Sequence, residues 1–300
     1  MAQSAVSTKV SPPPAFRDIL ELLKPITWFP PMWALLCGVV SSGVPITSRW
    51  AFLLAGIALT GPLVCGTSQA VNDWFDRHVD AINEPNRPIP SGRIAGRWGL
   101  AIAVIWTVVS LAVAAMTGRW VLAATFVGLI CAWAYSAPPF RFKTSGWIGP
   151  AVVALTYEGL SWFTGTAVMA GALPASHILI TLVLYSVGAH GIMTLNDFKA
   201  VEGDRATGLR SLPVVMGERP AAVLACVVMA LPQAVVVALM LAWGHMISAV
   251  AVAVLLIVQL ALMPRLVSAP ARYAPWYNAT GVSLYVSGMM AASLGLGGYL

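Results

Sequence analysis

Asn72, Asp73, Asp76 and Asp80 have spacings that bring four oxygen-bearing side chains to one side of a helix. At about 100° per residue, and with Asn72 at zero, Asp76 falls near 40°, Asp80 near 80° and Asp73 near 100°. Further along, Asp197 and Asp204 fall about 20° apart on the same reckoning. Carboxylates stacked in this way repel one another unless positive charge comes between them. Such clusters suit a hard cation, and Mg²⁺ usually binds through one or two carboxylates together with substrate phosphates. Solvated salt bridges to nearby arginines would account for Glu84 or Glu218. They would not explain why seven of the chain's eleven acids fall in or beside two matching motifs. The expected metal ligands are therefore Asn72, Asp73, Asp76, Asp80, Asp197 and Asp204.

Basic residues accompany the acids. Guanidinium groups grip phosphate oxygens bidentately and lysine acts as a point charge, so Arg87, Arg93, Arg141, Lys143, Arg205 and Arg210 are candidate ligands for a diphosphate. Tyr135 opens the proline-stiffened stretch "YSAPPFRFK" that carries Arg141 and Lys143. Asp76, Asp80, Asp204 and Lys143 are the residues expected to carry turnover. Two more polar groups stand within apolar runs. Glu158, in "LTYEGLSWF", either lines a reaction chamber or bonds a neighbouring helix, because a carboxyl at membrane depth is costly elsewhere. His190 lies seven residues before Asp197 and so on its stripe; it is a core histidine or a contact for a bound substrate. No Ser-His-Asp or Cys-His arrangement is present.

The elements that must hold these groups are helices in a membrane. The 300-residue chain is 59% hydrophobic and 9% charged, too little charge for the surface of a water-soluble domain, where about 25% is usual. Several apolar runs reach the ~20 residues needed to cross a bilayer. Nine spans are expected, near 26–44, 50–71, 98–116, 120–136, 147–168, 177–196, 219–241, 246–263 and 280–299. With the N-terminus in the cytoplasm, the cytoplasmic connections hold 15 of the 17 Lys and Arg, leaving only Arg49 and Arg119 opposite. That asymmetry follows the positive-inside rule and puts both acidic motifs on the cytoplasmic side. Residues 1–15 read as a mobile tail and 16–300 as a single transmembrane domain, with Phe16 to Lys24 a short amphipathic helix on the membrane surface. The motifs "NDWFDRHVD" and "NDFKAVEGD" echo one another and suggest two related helical halves, about 16–145 and 146–300. Cys37, Cys65, Cys131 and Cys226 sit singly in apolar runs and read as packing residues.

These residues resemble the UbiA superfamily of intramembrane prenyltransferases over nearly the whole chain. The resemblance rests on nine helices, the motifs Asn72/Asp76/Asp80 and Asp197/Asp204, and the Tyr135-to-Lys143 motif between them. It implies an all-α UbiA-type bundle whose motifs bind Mg²⁺ and an allylic diphosphate. The second motif has Ala200 and Val201 where relatives often carry a further acid. Within the superfamily, "HGIMTLNDFKAVEGDRATGLRSLPVVMG", "YEGLSWFTG" and "DAINEPNRPIPSGRI" are similar to the chlorophyll and bacteriochlorophyll synthase branch. That similarity implies transfer of a geranylgeranyl or phytyl group onto the propionate of bacteriochlorophyllide, in the inner (photosynthetic) membrane. It makes pigment-assembly proteins candidate neighbours and gives no place to nucleic acid. The competing readings are a relative acting on chlorophyllide, a quinone precursor or haem, and a cation transporter. A transporter would carry its ionisable groups near the bilayer midplane, whereas here they lie at one face.

Overall fold

The computed structural model describes residues 12–300 and is helical throughout. Most of the expected tail, residues 1–11, lies outside the described residues; residues 12–15 have no regular structure and lead into α1 (Phe16–Leu22). A short turn, Pro25–Thr27, joins α1 to α2 (Phe29–Ser41), and the two segments meet at a bend of 58°. α3 (Trp50–Ala58) and α4 (Gly66–Asn83) form one 34-residue rod through a π-helical turn at Leu59–Cys65. Pro62 sits within that turn. Proline has no N–H to give to the helical ladder, and the Pro62 carbonyl accepts a hydrogen bond from Trp106 Nε1 at 3.1 Å.

α5 (Trp98–Thr117) and α6 (Arg119–Ser136) make a tight hairpin, with Gly118 alone between them. α7 (Ile148–Ala154) and α8 (Ser161–Ala170) are again joined by a π-helical turn, Leu155–Leu160. α9 (Ser176–Asp197) delivers the second acidic motif, which continues into α10 (Val201–Thr207). After α11 (Leu212–Met216), α12 (Glu218–Ala242), α13 (Met246–Ser268) and α14 (Pro270–Leu296) complete the bundle. The last helix begins ten residues before the expected span. Pro270 at its first turn costs no hydrogen bond there and starts the helix early.

Among the described residues seven helices are long and apolar enough to cross a membrane, or eight with the bent α1–α2 pair taken as one span. All nine expected spans are helical. Ile148–Ala170 is likewise continuous through its π turn, but with Glu158 and several hydroxyl side chains it is not among the helices apolar enough to be counted as a span.

Packing explains why α2 belongs to the bundle despite its length. A Cβ on Gly38 would lie 2.0 Å from the Trp162 carbonyl oxygen, and one on Gly165 2.0 Å from that of Leu35. The two backbones therefore touch, as helices with small residues at their crossing do in membranes. Trp162 Nε1 donates to Ser41 Oγ at 3.0 Å and Thr166 Oγ1 to the Gly38 carbonyl at 3.0 Å, tying α8 to α2. On α1, Leu22 and Leu23 are buried while Phe16 and Leu20 point outward, so the helix has one apolar edge in the protein and one left for lipid.

Candidate active site

The acidic ends of α4 and α9 meet at one end of the bundle, over a cavity of about 580 Å³. Its rim carries Asn72 from α4, Tyr135 from the end of α6, Lys143 from the loop beyond it, Asn196 and Asp197 from α9, and Asp204 from α10. Its depth is walled by α6, α8 and the two π turns, with Leu59, Val64, Gly128 and Leu160 among the lining residues. The loops holding the rim are joined directly. Ser145 and Arg210 form a parallel bridge in which Gly146 N–H donates to the Arg210 carbonyl at 2.9 Å. Only glycine fits there, since a Cβ on Gly146 would lie 2.6 Å from that oxygen.

The first acidic motif lies on one helix, as expected, but its sector is divided between two surroundings. On one edge Asn72 donates to Asp76 Oδ2 at 2.9 Å and to Ser136 Oγ at 3.1 Å, and Lys143 Nζ pairs with Asp76. Burial pushes the Lys143 ammonium below the usual lysine range, and the contact with Asp76 opposes that shift. On the other edge Asp73 is buried and bonded to Lys24 Nζ at 2.6 Å, with Arg87 Nη1 at 3.6 Å. Asp80 accepts from Arg87 Nη1 at 2.9 Å. The Arg87 guanidinium loses hydration in the fold, but Asp73, Asp80 and Glu84 outweigh that loss and hold its pKa above the usual value.

The structure thus gathers Asn72, Asp76, Tyr135, Lys143, Asp197 and Asp204, with Asp80 and Arg87 one turn further out. Asp73 is turned away from the cavity, its charge met by Lys24, a residue 49 positions earlier. Arg93 is also elsewhere: it bonds Asp18 at 2.6 Å and Glu21 at 2.6 and 2.7 Å, clamping α1 to the loop after α4. Arg141, Arg205 and Arg210 are exposed near the rim.

Neither residue expected at an acceptor pocket lines the cavity. Glu158 is buried on the other side of its π turn, with Oε2 unbonded. The His190 ring packs on Trp147, centroids 5.9 Å apart, with Nε2 3.2 Å from the Trp147 carbonyl oxygen. The cavity receives Tyr157 and Gln69 in their place. Gln69 falls at about 60° on the wheel that places Asn72 at zero, so its signal was present in the acidic stripe. Tyr157 carried none, because a π turn shifts the phase of the helix.

The donor set fits a hard cation. Asn72, Asp76, Asp197 and Asp204 offer oxygen, and Asp197 and Asp204 have no ion-pair partner among the described residues. No three acidic, histidine or cysteine side chains among the described residues close around a point that could hold a metal. That is compatible with Mg²⁺, which seldom takes an all-protein cage and completes its shell with phosphate and water.

Residues 27–286 match the model of the UbiA prenyltransferase family. The chain is 57% identical over 285 residues to the bacteriochlorophyll synthase 33 kDa chain of Cereibacter sphaeroides, covering 95% of this chain and 94% of that one. It is 54% identical over 289 residues to the protein of the same name from Rhodobacter capsulatus, covering 95% of each. Its fold is that of a UbiA homologue from Archaeoglobus fulgidus determined with DMAPP and Mg²⁺, with a TM-score of 0.69 and 21% identity over 92% of this chain and 98% of that one. The match to the family model over most of the chain, with relatives at 57% and 54% identity, shows that the chain belongs to the UbiA prenyltransferase family.

Proposed function

We propose that the chain transfers a geranylgeranyl or phytyl group from its diphosphate to the propionate carboxylate of bacteriochlorophyllide. The carrying observation is the cavity itself, which joins a rim of acids and bases to an apolar depth. Similarity at 57% and 54% to two bacteriochlorophyll synthase chains supports the choice of acceptor.

The rim binds the diphosphate. Asn72, Asp76, Asp197 and Asp204 would hold Mg²⁺, with Asp80 next to them. Mg²⁺ supplies charge stabilisation for the diphosphate oxygens as the leaving group departs. Lys143 is placed to exchange Asp76 for a phosphate oxygen, and Arg87, Arg141, Arg205 and Arg210 surround the same end of the bundle. Fixed positive groups where negative charge accumulates are the usual main source of catalysis in such transfers. The apolar wall takes the prenyl chain and keeps water from the allylic centre.

In the transfer, a carboxylate oxygen of the acceptor forms a bond to C1 of the prenyl group. The C1–O bond to the diphosphate breaks, and the electron pair leaves with the diphosphate. A carboxyl group with a reference pKa of about 4 is already ionised at neutral pH, so no general base is needed. The positive-inside count supports a cytoplasmic N-terminus and a site on the cytoplasmic side of the photosynthetic inner membrane, across nine spans arranged as one domain.

The test is an assay in reconstituted membranes crossing chlorophyllide and bacteriochlorophyllide with geranylgeranyl and phytyl diphosphates. Mg²⁺-dependent esterification of bacteriochlorophyllide is expected, abolished in Asp76→Asn and Asp204→Asn proteins that remain folded. With an aromatic acid added as a third acceptor, its prenylation without any pigment esterification would overturn the assignment.

A further inference from the structure

The cavity wall carries a pair of polar donors that a hydrocarbon chain does not need. Tyr157 leaves the π turn Leu155–Leu160 toward the cavity, and Gln69 faces it from α4. Gln69 Nε2 donates to Tyr157 Oη at 3.3 Å. Cys65 Sγ lies 3.2 Å from the phenol oxygen and the Ser68 hydroxyl is also beside it, and a sulfur is a weak acceptor. The Cys65 thiol in turn lies 3.5 Å from the Thr27 carbonyl oxygen. A carboxamide nitrogen has two hydrogens; besides Tyr157, Gln69 has only the Cys65 sulfur as a recorded acceptor. Donors whose acceptor is a sulfur are weakly met, and a charged oxygen brought to the cavity wall would accept from them more strongly.

Their position selects the ligand. Gln69 is three residues before Asn72 on the same stripe, which puts it about 4.5 Å deeper along the helix axis. This is the layer just inside the diphosphate rim, where C1 of the prenyl group and its attacking oxygen must lie about 3–3.5 Å apart. A neutral donor pair can orient a carboxylate without tying up its charge as a lysine or arginine would.

We propose that Tyr157 and Gln69 bind the carboxylate of the acceptor and aim one of its oxygens at C1 of the prenyl diphosphate. This rests on the reading of the acceptor as a carboxylate given above. One acceptor oxygen takes the Tyr157 O–H, the same carboxylate takes the Gln69 N–H that otherwise meets the Cys65 sulfur, and the remaining lone pairs face the allylic centre.

The experiment measures bacteriochlorophyllide binding to reconstituted protein without prenyl diphosphate, by quenching of pigment fluorescence, for wild type, Tyr157→Phe and Gln69→Met. Initial rates are then measured against each substrate. A hydrogen bond to a charged group is strong enough that losing it should weaken pigment binding about tenfold, with the KM for the prenyl diphosphate unchanged. That unchanged KM also reports that the variants are folded. The propionate methyl ester of the pigment should bind wild type and variants alike. Wild-type affinity for the free acid in both variants would overturn the inference while leaving the proposed function intact. Equal losses for acid and ester would overturn it too. Wild-type protein that binds no pigment would overturn the acceptor assignment and this inference together.

Discussion

Removing Lys24 should destabilise the protein without touching the chemistry, and the size of the effect follows from its partner. Asp73 is 1% exposed; its Oδ1 is held by Lys24 at 2.6 Å and its Oδ2 has no partner. Lys24→Met keeps the stem and leaves a buried carboxylate facing only Arg87 at 3.6 Å. Breaking a buried pair from one side costs about 3–5 kcal/mol. The Lys24 side chain is 23% exposed and Arg87 can close in, so the lower end, ~3 kcal/mol, is expected. Adding Asp73→Asn to Lys24→Met removes the stranded charge and should restore most of that loss, a coupling that a double-mutant cycle isolates. Thermal unfolding of the four proteins in one lipid environment measures it. Prenyl transfer below the unfolding range supplies the second readout, and Asp73→Asn alone should keep turnover. If Lys24→Met unfolds like wild type while folded Asp73→Asn is inactive and loses its response to Mg²⁺, Asp73 is a metal ligand and the division of the first motif is refuted.

Two further substitutions separate structural from substrate-facing roles. Arg93→Ala should loosen α1, seen as faster limited proteolysis near its start, while the KM for prenyl diphosphate stays within about twofold because the lost partners are exposed ion pairs of small individual worth; a large rise in that KM would return Arg93 to the diphosphate site. Gly128 opens on the cavity between Val64 and Leu160, whose methyl groups would lie 3.6 and 3.8 Å from an added Cβ. Gly128→Phe should therefore obstruct the depth, excluding geranylgeranyl diphosphate while still admitting the shorter geranyl diphosphate. Equal loss with both donors in a competition assay would show that the prenyl chain runs elsewhere.

The helices were legible because hydropathy and charge fix them locally. A run of apolar residues ending at Arg or Lys reads as a span whatever it packs against, and the Gly118 hairpin needs only its own residues. What the sequence could not disclose depends on segments far apart. Lys24 neutralises Asp73 across 49 residues, and no helical wheel of α4 contains Lys24. Arg93 looks like a phosphate ligand until α1 brings Asp18 and Glu21 to it. Phase was the other barrier. A regular helix through 147–168 treats Glu158 as the polar residue of interest, but the π turn at Leu155–Leu160 buries it and gives the cavity to Tyr157.

The repeated motifs show how far pattern and chemistry can part. Asn72-Asp73 and Asn196-Asp197 are the same dipeptide at the same kind of place, and the echo invites equal roles. Their aspartates have opposite surroundings. Asp73 meets Lys24 and Arg87, Asp80 meets Arg87 and Asp76 meets Lys143, so each acid of the first motif has a base. The second motif has no ion pair among the described residues: Asp197 and Asp204 both line the cavity, and the charge of Asp204 bears on Asp197. The cause is in the connections. The segment after α1 and the loops after α4 and α6 bring cations to the first motif, whereas the second motif runs straight into α10, whose Arg205 is exposed. Two carboxylates without a counter-charge repel, and a divalent cation relieves that repulsion more effectively than a single ammonium could. Under the proposed function, the uncompensated acids mark where Mg²⁺ would be most needed, and the paired acids of α4 mark which protein cations would yield to a phosphate.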